Sequence, residues 1–204
     1  MRWPAFLRRS EESIARANGI YLRPVRVSDA RQYATLLQEN RELLEPFEPV
    51  RPPSYYTEAY QRAVLKEAVE SYKDGSGYMF AVVLDSHGII GRVGLSGVFR
   101  GAFQSCFIGY FIDHRFTRRG YATWAVKNTV AFAFDKAALH RVEASVMPCN
   151  VASQRVLEKS GFRREGLARN YLRIQGKWED HYIYAITVED KIGESVDRGG
   201  GEYC

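Results

Sequence analysis

SCFIGYFIDHRFTRRGYATWAVKNTVAFAF, residues 105–134, is the stretch around which the chain is organised. Residues 106–112 are rich in β-branched and aromatic side chains and read as a strand. Residues 121–134 carry Ala122, Ala125, Val126, Thr129, Val130 and Ala133 at helical spacing and read as a helix. Between them lie Arg118, Arg119, Gly120, Tyr121, Ala122 and Thr123. A helix start offers unpaired N–H groups and the positive end of a dipole. Gly120 removes a side chain where an anion could approach the backbone, and the two arginines add charge. The pattern suggests a pyrophosphate seat; an ordinary strand-to-helix turn with a solvated basic pair fits it equally well.

Working outward, residues 19–27 read as a first strand, followed by a helix from an N-cap at Ser28 to Asn40. The segment LLEPFEPVRPPSYY, with four prolines, reads as a structured loop of the kind that holds binding surfaces. Thr57 caps a second helix that ends before Gly75. Residues 78–84, 89–99 and 105–113 read as three strands, and 141–147 as another. Asn150 opens a short helix closed by Gly161, and residues 163–174 and 178–188 form two final strands around a turn at Gln175, Gly176 and Lys177. The order β-α-α-β-β-β-α-β-α-β-β predicts an α+β (mixed α/β) domain with a largely antiparallel sheet over 19–188. Residues 1–18 read as a lead-in, and the Gly-rich 189–204 as a disordered tail.

At 204 residues the chain suits one domain with a full core, and its 46% hydrophobic and 26% charged content is that of a soluble globular protein. The net charge of +5 is compatible with anionic ligands, a ribosome-like surface or nothing specific, and, without a long Lys/Arg run, is too weak to argue for direct nucleic-acid readout. Three cysteines without CxxC spacing fit a reducing compartment. No apolar run reaches membrane-span length and the first residues lack a signal-peptide core, so the expected setting is the cytosol, without membrane. The four histidines show no ligand spacing, so no metal is expected.

The topology, the loop TRRGYA after an apolar strand and the run MPCNVASQRVLEKSGFRREG together resemble the GNAT acyl-CoA N-acetyltransferases. The ending EGLARNYLRIQGKWEDHYIYAI resembles the RimJ/RimL branch, which acetylates ribosomal-protein N-termini. The resemblance covers residues 20–188 and implies acetyl-CoA as co-substrate and a ribosomal-protein N-terminus as acceptor, met on or near the ribosome by a monomer or homodimer. Gly120 and Ala122 fit the family's loop pattern, while Thr117 stands where a glutamine or arginine is usual. The resemblance implies that Phe111, Ile112 and Asp113 supply backbone hydrogen bonds to the pantetheine arm and the thioester carbonyl.

Acetyl transfer needs a neutral amine, a polarised thioester and a protonated leaving thiolate. Ser153 matches the serine that RimL-like enzymes are thought to place near the departing sulfur; it also reads as a plain first-turn serine. Asn150 matches the family's pantetheine partner and reads equally as an N-cap. Where RimL-like enzymes carry a carboxylate before the tyrosine matching Tyr171, this chain has Asn170, which cannot accept a proton. Glu165, then Asp180, are the next base candidates, though each reads first as structural; Tyr171 reads as a pocket wall or a second acid. Besides N-terminal acetylation, the sequence leaves open a small amine or antibiotic as acceptor, and a non-catalytic acyl-CoA-binding, ribosome-associated module.

Overall fold

The computed structural model describes residues 13–190. Eight strands form one sheet: Ala15–Ala17 (β1), Ile20–Pro24 (β2), Tyr78–Leu84 (β3), Gly88–Phe99 (β4), Ser105–Ile112 (β5), Arg141–Val146 (β6), Arg163–Ile174 (β7) and Lys177–Thr187 (β8). The helices are Ala30–Glu39 (α1), Arg41–Leu44 (α2), Glu58–Asp74 (α3), Tyr121–Asp135 (α4) and Val151–Lys159 (α5).

β3 reads YMFAVVL, and an apolar strand of this kind requires cover on both faces. Successive side chains divide accordingly. Phe80, Val82 and Leu84 join a core with Ala125, Val126, Val130 and Ala133 of α4 and Leu157 of α5. Ala81 and Val83 join a second core with Tyr33, Leu36 and Leu37 of α1 and Leu65 of α3. The sheet therefore lies between two helical layers. Thr57 caps α3 by accepting from the Tyr60 N–H at 3.3 Å, and Gly75, at φ +78°, ends it in the left-handed conformation.

The strand order is β1-β2-β3-β4-β5-β6-β8-β7. Every neighbouring pair is antiparallel except β5 and β6. That parallel pair matches Ser105 with Arg141, Cys106 with Val142 and Phe107 with Glu143, and there the pairing stops. Residues 108–112 and 144–146 continue as strands that pair only on their outer sides, with β4 and β8. Two central strands thus part in mid-sheet, and the polar backbone edges between them need another partner.

The structure differs from the sequence reading at four places. Residues 15–17, placed in the lead-in, form a hairpin with β2 and extend the sheet. Ser28 does not cap α1; Asp29 accepts from the Arg26 N–H at 2.8 Å and pairs with Arg23 at 2.8 Å, a carboxylate being the stronger acceptor. The proline-rich loop begins in the last two residues of α2 and contains two 3-10 turns, Glu45–Phe47 and Pro53–Tyr56. Residues 189 and 190, placed in the tail, are anchored: Asp190 accepts from the Thr187 N–H at 2.9 Å, and Glu189 meets His140 at 3.0 Å. Residues 1–12 and 191–204, which hold most of the expected lead-in and tail, lie outside the described residues. Among the described residues no helix is long and apolar enough to cross a membrane, and no cluster of His, Cys, Asp and Glu has metal-holding geometry.

Candidate active site

The gap between β5 and β6 opens into a cavity of about 670 Å³. Its walls include Ile108, Gly109, Tyr110 and Phe111 from β5, residues 144–147 at the end of β6, and Asn150 and Ser153 at the start of α5. It continues under α2 and α3, where Leu44, Phe47, Glu48, Ala68 and Ser71 line it, and it includes Arg92 of β4 and His181 of β8. One cavity therefore runs through the sheet from one helical layer to the other.

Asn150 caps α5 by accepting from the Ser153 N–H at 3.1 Å, which occupies its Oδ1 and leaves its Nδ2 for another partner. The Ser153 hydroxyl lies 2.9 Å from the Tyr110 hydroxyl, which can also donate to the Ser153 carbonyl oxygen at 3.2 Å. The phenol has one proton to give. When it donates to Ser153 Oγ, the serine hydrogen is free to turn into the cavity. Burial pushes the Tyr110 phenol up to about 12, against the opposing effect of its bond to Ser153. Tyr110 is thus a neutral hydroxyl at physiological pH.

At the start of α4, Arg118 and Gly120 both have positive φ, +60° and +79°, and turn the chain sharply into the helix. A Cβ built on Gly120 meets no heavy atom within 4 Å, so space beside this backbone is open. The first helical bond runs from the Trp124 N–H to the Gly120 carbonyl at 2.9 Å. The N–H groups of Tyr121, Ala122 and Thr123 consequently lack intrahelical acceptors. Arg118 and Gly120 are exposed; Arg119 stacks over Phe116 with its guanidinium carbon 5.5 Å from the ring centroid. This geometry can hold an anion.

The structure separates some of the residues that the sequence groups together. Phe111, Asn150 and Ser153 meet in the cavity. Ile112 pairs with Gly91. Asp113 does not line the cavity. Its N–H donates to the Ile90 carbonyl at 2.8 Å, and its buried carboxylate is held by Arg115. Glu165 does not line the cavity; both its oxygens bind the Arg141 guanidinium, at 2.9 and 2.5 Å. Those hydrogen bonds hold its carboxyl below the ordinary value, which makes it a poor proton acceptor at neutral pH. Asp180 is occupied with the Asn170 N–H at 2.8 Å, across a β-bulge where Asn170 has φ +47°. Tyr171 packs its ring against His181, centroids 5.8 Å apart.

Three cavity residues escape the sequence reading. Tyr110 carries a hydroxyl on the otherwise apolar inner face of β5, and Arg92 is a lone cation within the apolar run of β4. Arg92 stacks 5.4 Å from the Phe111 ring centroid and donates to the Tyr55 hydroxyl at 3.4 Å. His181 is buried in β8, and testing the histidines for metal spacing alone passes over it. For Tyr110 and Arg92 the signal is a polar group on an apolar strand face; His181 follows Glu179 and Asp180 in a polar half-strand and gives no such signal.

The parted strands, the open backbone at Gly120 and the unpaired N–H groups of α4 fit an elongated ligand with an anionic end and a thin polar arm. The sequence profile described as acetyltransferase (GNAT) domain matches residues 20–163. The chain is 44% identical over 172 residues to the Bacillus subtilis protein named "Probable N-acetyltransferase YjcK", covering 84% of this chain and 95% of that one. It is 35% identical to the Escherichia coli "[Ribosomal protein uS5]-alanine N-acetyltransferase", again over 84% of this chain and covering 89% of the other. Among solved structures, Mycobacterium smegmatis RimJ in complex with CoA-disulfide superposes with a TM-score of 0.80 at 32% identity, over 91% of each chain. The chain belongs to the GNAT acetyltransferase family and is an N-acetyltransferase.

Proposed function

We propose that the protein transfers the acetyl group of acetyl-CoA to the N-terminal α-amine of a protein, with a ribosomal protein beginning with alanine as acceptor. The observation that carries this reading is the single cavity that joins the β5–β6 gap, with Ser153 and Tyr110, to the mouth beneath α2 and α3. The similarity to the Escherichia coli protein named for alanine N-acetylation of a ribosomal protein supports the acceptor class.

On this reading the N–H groups of 121–123 hold the pyrophosphate, helped by Arg118 and Arg119. The free backbone edge of residues 108–112 holds the pantetheine arm, and Asn150 Nδ2 donates to one of its carbonyls. These contacts orient the thioester so that its sulfur faces Ser153. The mouth beneath α2 and α3 admits the acceptor. Gln175, at the tip of the β7–β8 hairpin, donates to the Glu45 and Glu48 carbonyls at 3.0 Å each and fixes one side of that mouth.

The α-amine attacks the acetyl carbonyl carbon, the carbon–sulfur bond breaks, and Ser153 gives its hydroxyl proton to the leaving thiolate. A proton from solvent returns to Ser153 Oγ through Tyr110, which remains a neutral phenol. An α-amine, with an ordinary pKa of about 7.7–8.0, is about one-tenth neutral at pH 7, whereas lysine at about 10.4 is almost wholly charged. An N-terminal acceptor therefore asks less of the enzyme than a lysine does.

The test is incubation of the purified protein with acetyl-CoA and an alanine-initiated peptide copied from a ribosomal-protein N-terminus, read by mass spectrometry. Acetyl on the α-amine, with an internal lysine unmodified, is the expected result. No transfer to the peptide, with transfer to a small amine in the same assay, would overturn the acceptor assignment.

A further inference from the structure

Asn170 cannot take a proton and Glu165 and Asp180 are held elsewhere; the cavity itself contains one carboxylate, Glu48, ion-paired with Arg51, and one imidazole. We propose that His181 is the group that takes the proton from the attacking amine, an inference that rests on the acetyl-transfer reading above.

Three observations converge on His181. First, its position: the last β6–β8 pair is Val146 with Tyr182, so His181 lies one residue beyond it, beside the end of β6 where the gap has opened. Tyr182 packs on the core that contains α4 and α5. His181 alternates to the opposite face, the face of the acceptor mouth, and lines the cavity.

Second, its tautomer is fixed. His181 Nδ1 is 3.0 Å from the Glu179 carbonyl oxygen. A carbonyl oxygen only accepts, so Nδ1 carries the hydrogen, and in the neutral ring Nε2 carries the lone pair. Nε2 has no protein partner among the described residues. The ring is also held from the side by Tyr171, so its orientation is set before an acceptor enters.

Third, its surroundings suit proton transfer. The charged and titratable groups that share the cavity are Glu48, Tyr78, Arg92 and Tyr110. Tyr171 faces it from β7, and Glu179 and Asp180 precede it on its own strand. Glu48 is paired with Arg51 at 3.2 Å, and Asp180 with the Asn170 N–H, so neither competes for the proton. Imidazole is the side chain whose ordinary titration falls between pH 5 and 8, close to working pH.

At low pH the α-amine arrives as an ammonium; its proton passes to His181 Nε2, and the neutral nitrogen then bonds to the acetyl carbon. Collapse of the tetrahedral intermediate breaks the carbon–sulfur bond, the thiolate takes the Ser153 proton, and the nitrogen releases its surplus proton to solvent. His181 loses its proton to solvent through the mouth, and one proton from solvent returns through Tyr110 to Ser153, so that one proton is released for each ammonium acetylated.

The experiment compares wild type with His181→Gln and His181→Asn from pH 6 to 9, using saturating acetyl-CoA and the alanine-initiated peptide. Acetyl-CoA affinity and Tm serve as controls for folding. If His181 is the base, both variants lose about 10²-fold in kcat at pH 6. The deficit then shrinks as pH rises past about 8, where the α-amine is already neutral. Imidazole added to His181→Ala should restore part of the rate at low pH. A deficit that is constant with pH marks a structural role and overturns the proposal, as does wild-type kcat in both variants. A wild type that acetylates no peptide or amine overturns the transfer reading and the base with it, and this outcome is distinct because it does not depend on the substitution.

Discussion

Ser153 Oγ and the Tyr110 hydroxyl, 43 residues apart in sequence, lie 2.9 Å apart at the point where β5 leaves β6. The pair forms a short proton relay with one end in the cavity. Ser153→Ala should lower kcat by about 10²-fold while leaving acetyl-CoA binding intact. Tyr110→Phe should cause a smaller loss, since Ser153 keeps its own proton. Because Tyr110 is pushed up to about 12, kcat should show no basic limb from this phenol below pH 10. Steady-state rates of both variants from pH 6 to 10 check this, and unchanged kcat in Ser153→Ala would remove the serine from the acid role.

Gly120 has φ +79° at the start of α4, and a Cβ there would enter open space rather than protein. Gly120→Ala should cost about 1–2 kcal/mol through the left-handed backbone alone. Its larger effect should be on the ligand, because the new methyl occupies the space the anion is expected to use. Calorimetric titration with acetyl-CoA should show weaker binding than wild type. Equal affinity would argue that the pyrophosphate lies elsewhere.

Glu165 is held by Arg141, and Glu165→Gln should leave kcat near the wild-type value; a loss of about 10²-fold would return it to the list of bases. The substitution should instead be visible in acid stability. Arg141 lowers the carboxyl below its ordinary value of about 4.3, so the pair stabilises the fold above that pH. The contribution is lost as pH falls through the lower folded value. Tm between pH 3 and 7 should therefore fall less steeply in Glu165→Gln than in wild type.

Burial pushes Cys106, Tyr72 and Tyr110 each up to about 12. The folded protein holds these protons more tightly than the unfolded chain, whose thiol and phenols titrate at about 8.5 and 10. Their neutral forms give full stability below those values, and stability declines as pH rises through the folded ones. Tm should drop from about pH 9 upward, and Cys106→Ala should delay the onset. A Tm that stays level to pH 11 would contradict the burial of these groups.

Much of the local structure is legible in the sequence because its causes are local. Thr57 and Asn150 each accept from an N–H three residues on, and both caps are where their side chains suggest. β3 and β7 span the residues that their composition marks. Ser28 misleads because a better acceptor, Asp29, follows it and is reached by Arg23 from β2. The hairpin partner of β2 is missed because a three-residue strand gives too little alternation to read.

What the sequence determined by itself is the longer helices and strands from residue 20 onward, their order, and the glycine turn into the helix at residue 121, all of which depend on neighbours within one or two turns. What only the tertiary structure decided is which of their groups meet. The β5–β6 separation after Phe107 is a property of two strands 36 residues apart in register, and no local signal marks where it begins. Tyr110 reaches Ser153, Arg141 captures Glu165, and His181 enters the cavity for the same reason. Each is brought into place by sheet pairing and by the closure of long loops, whose cost the local sequence does not encode.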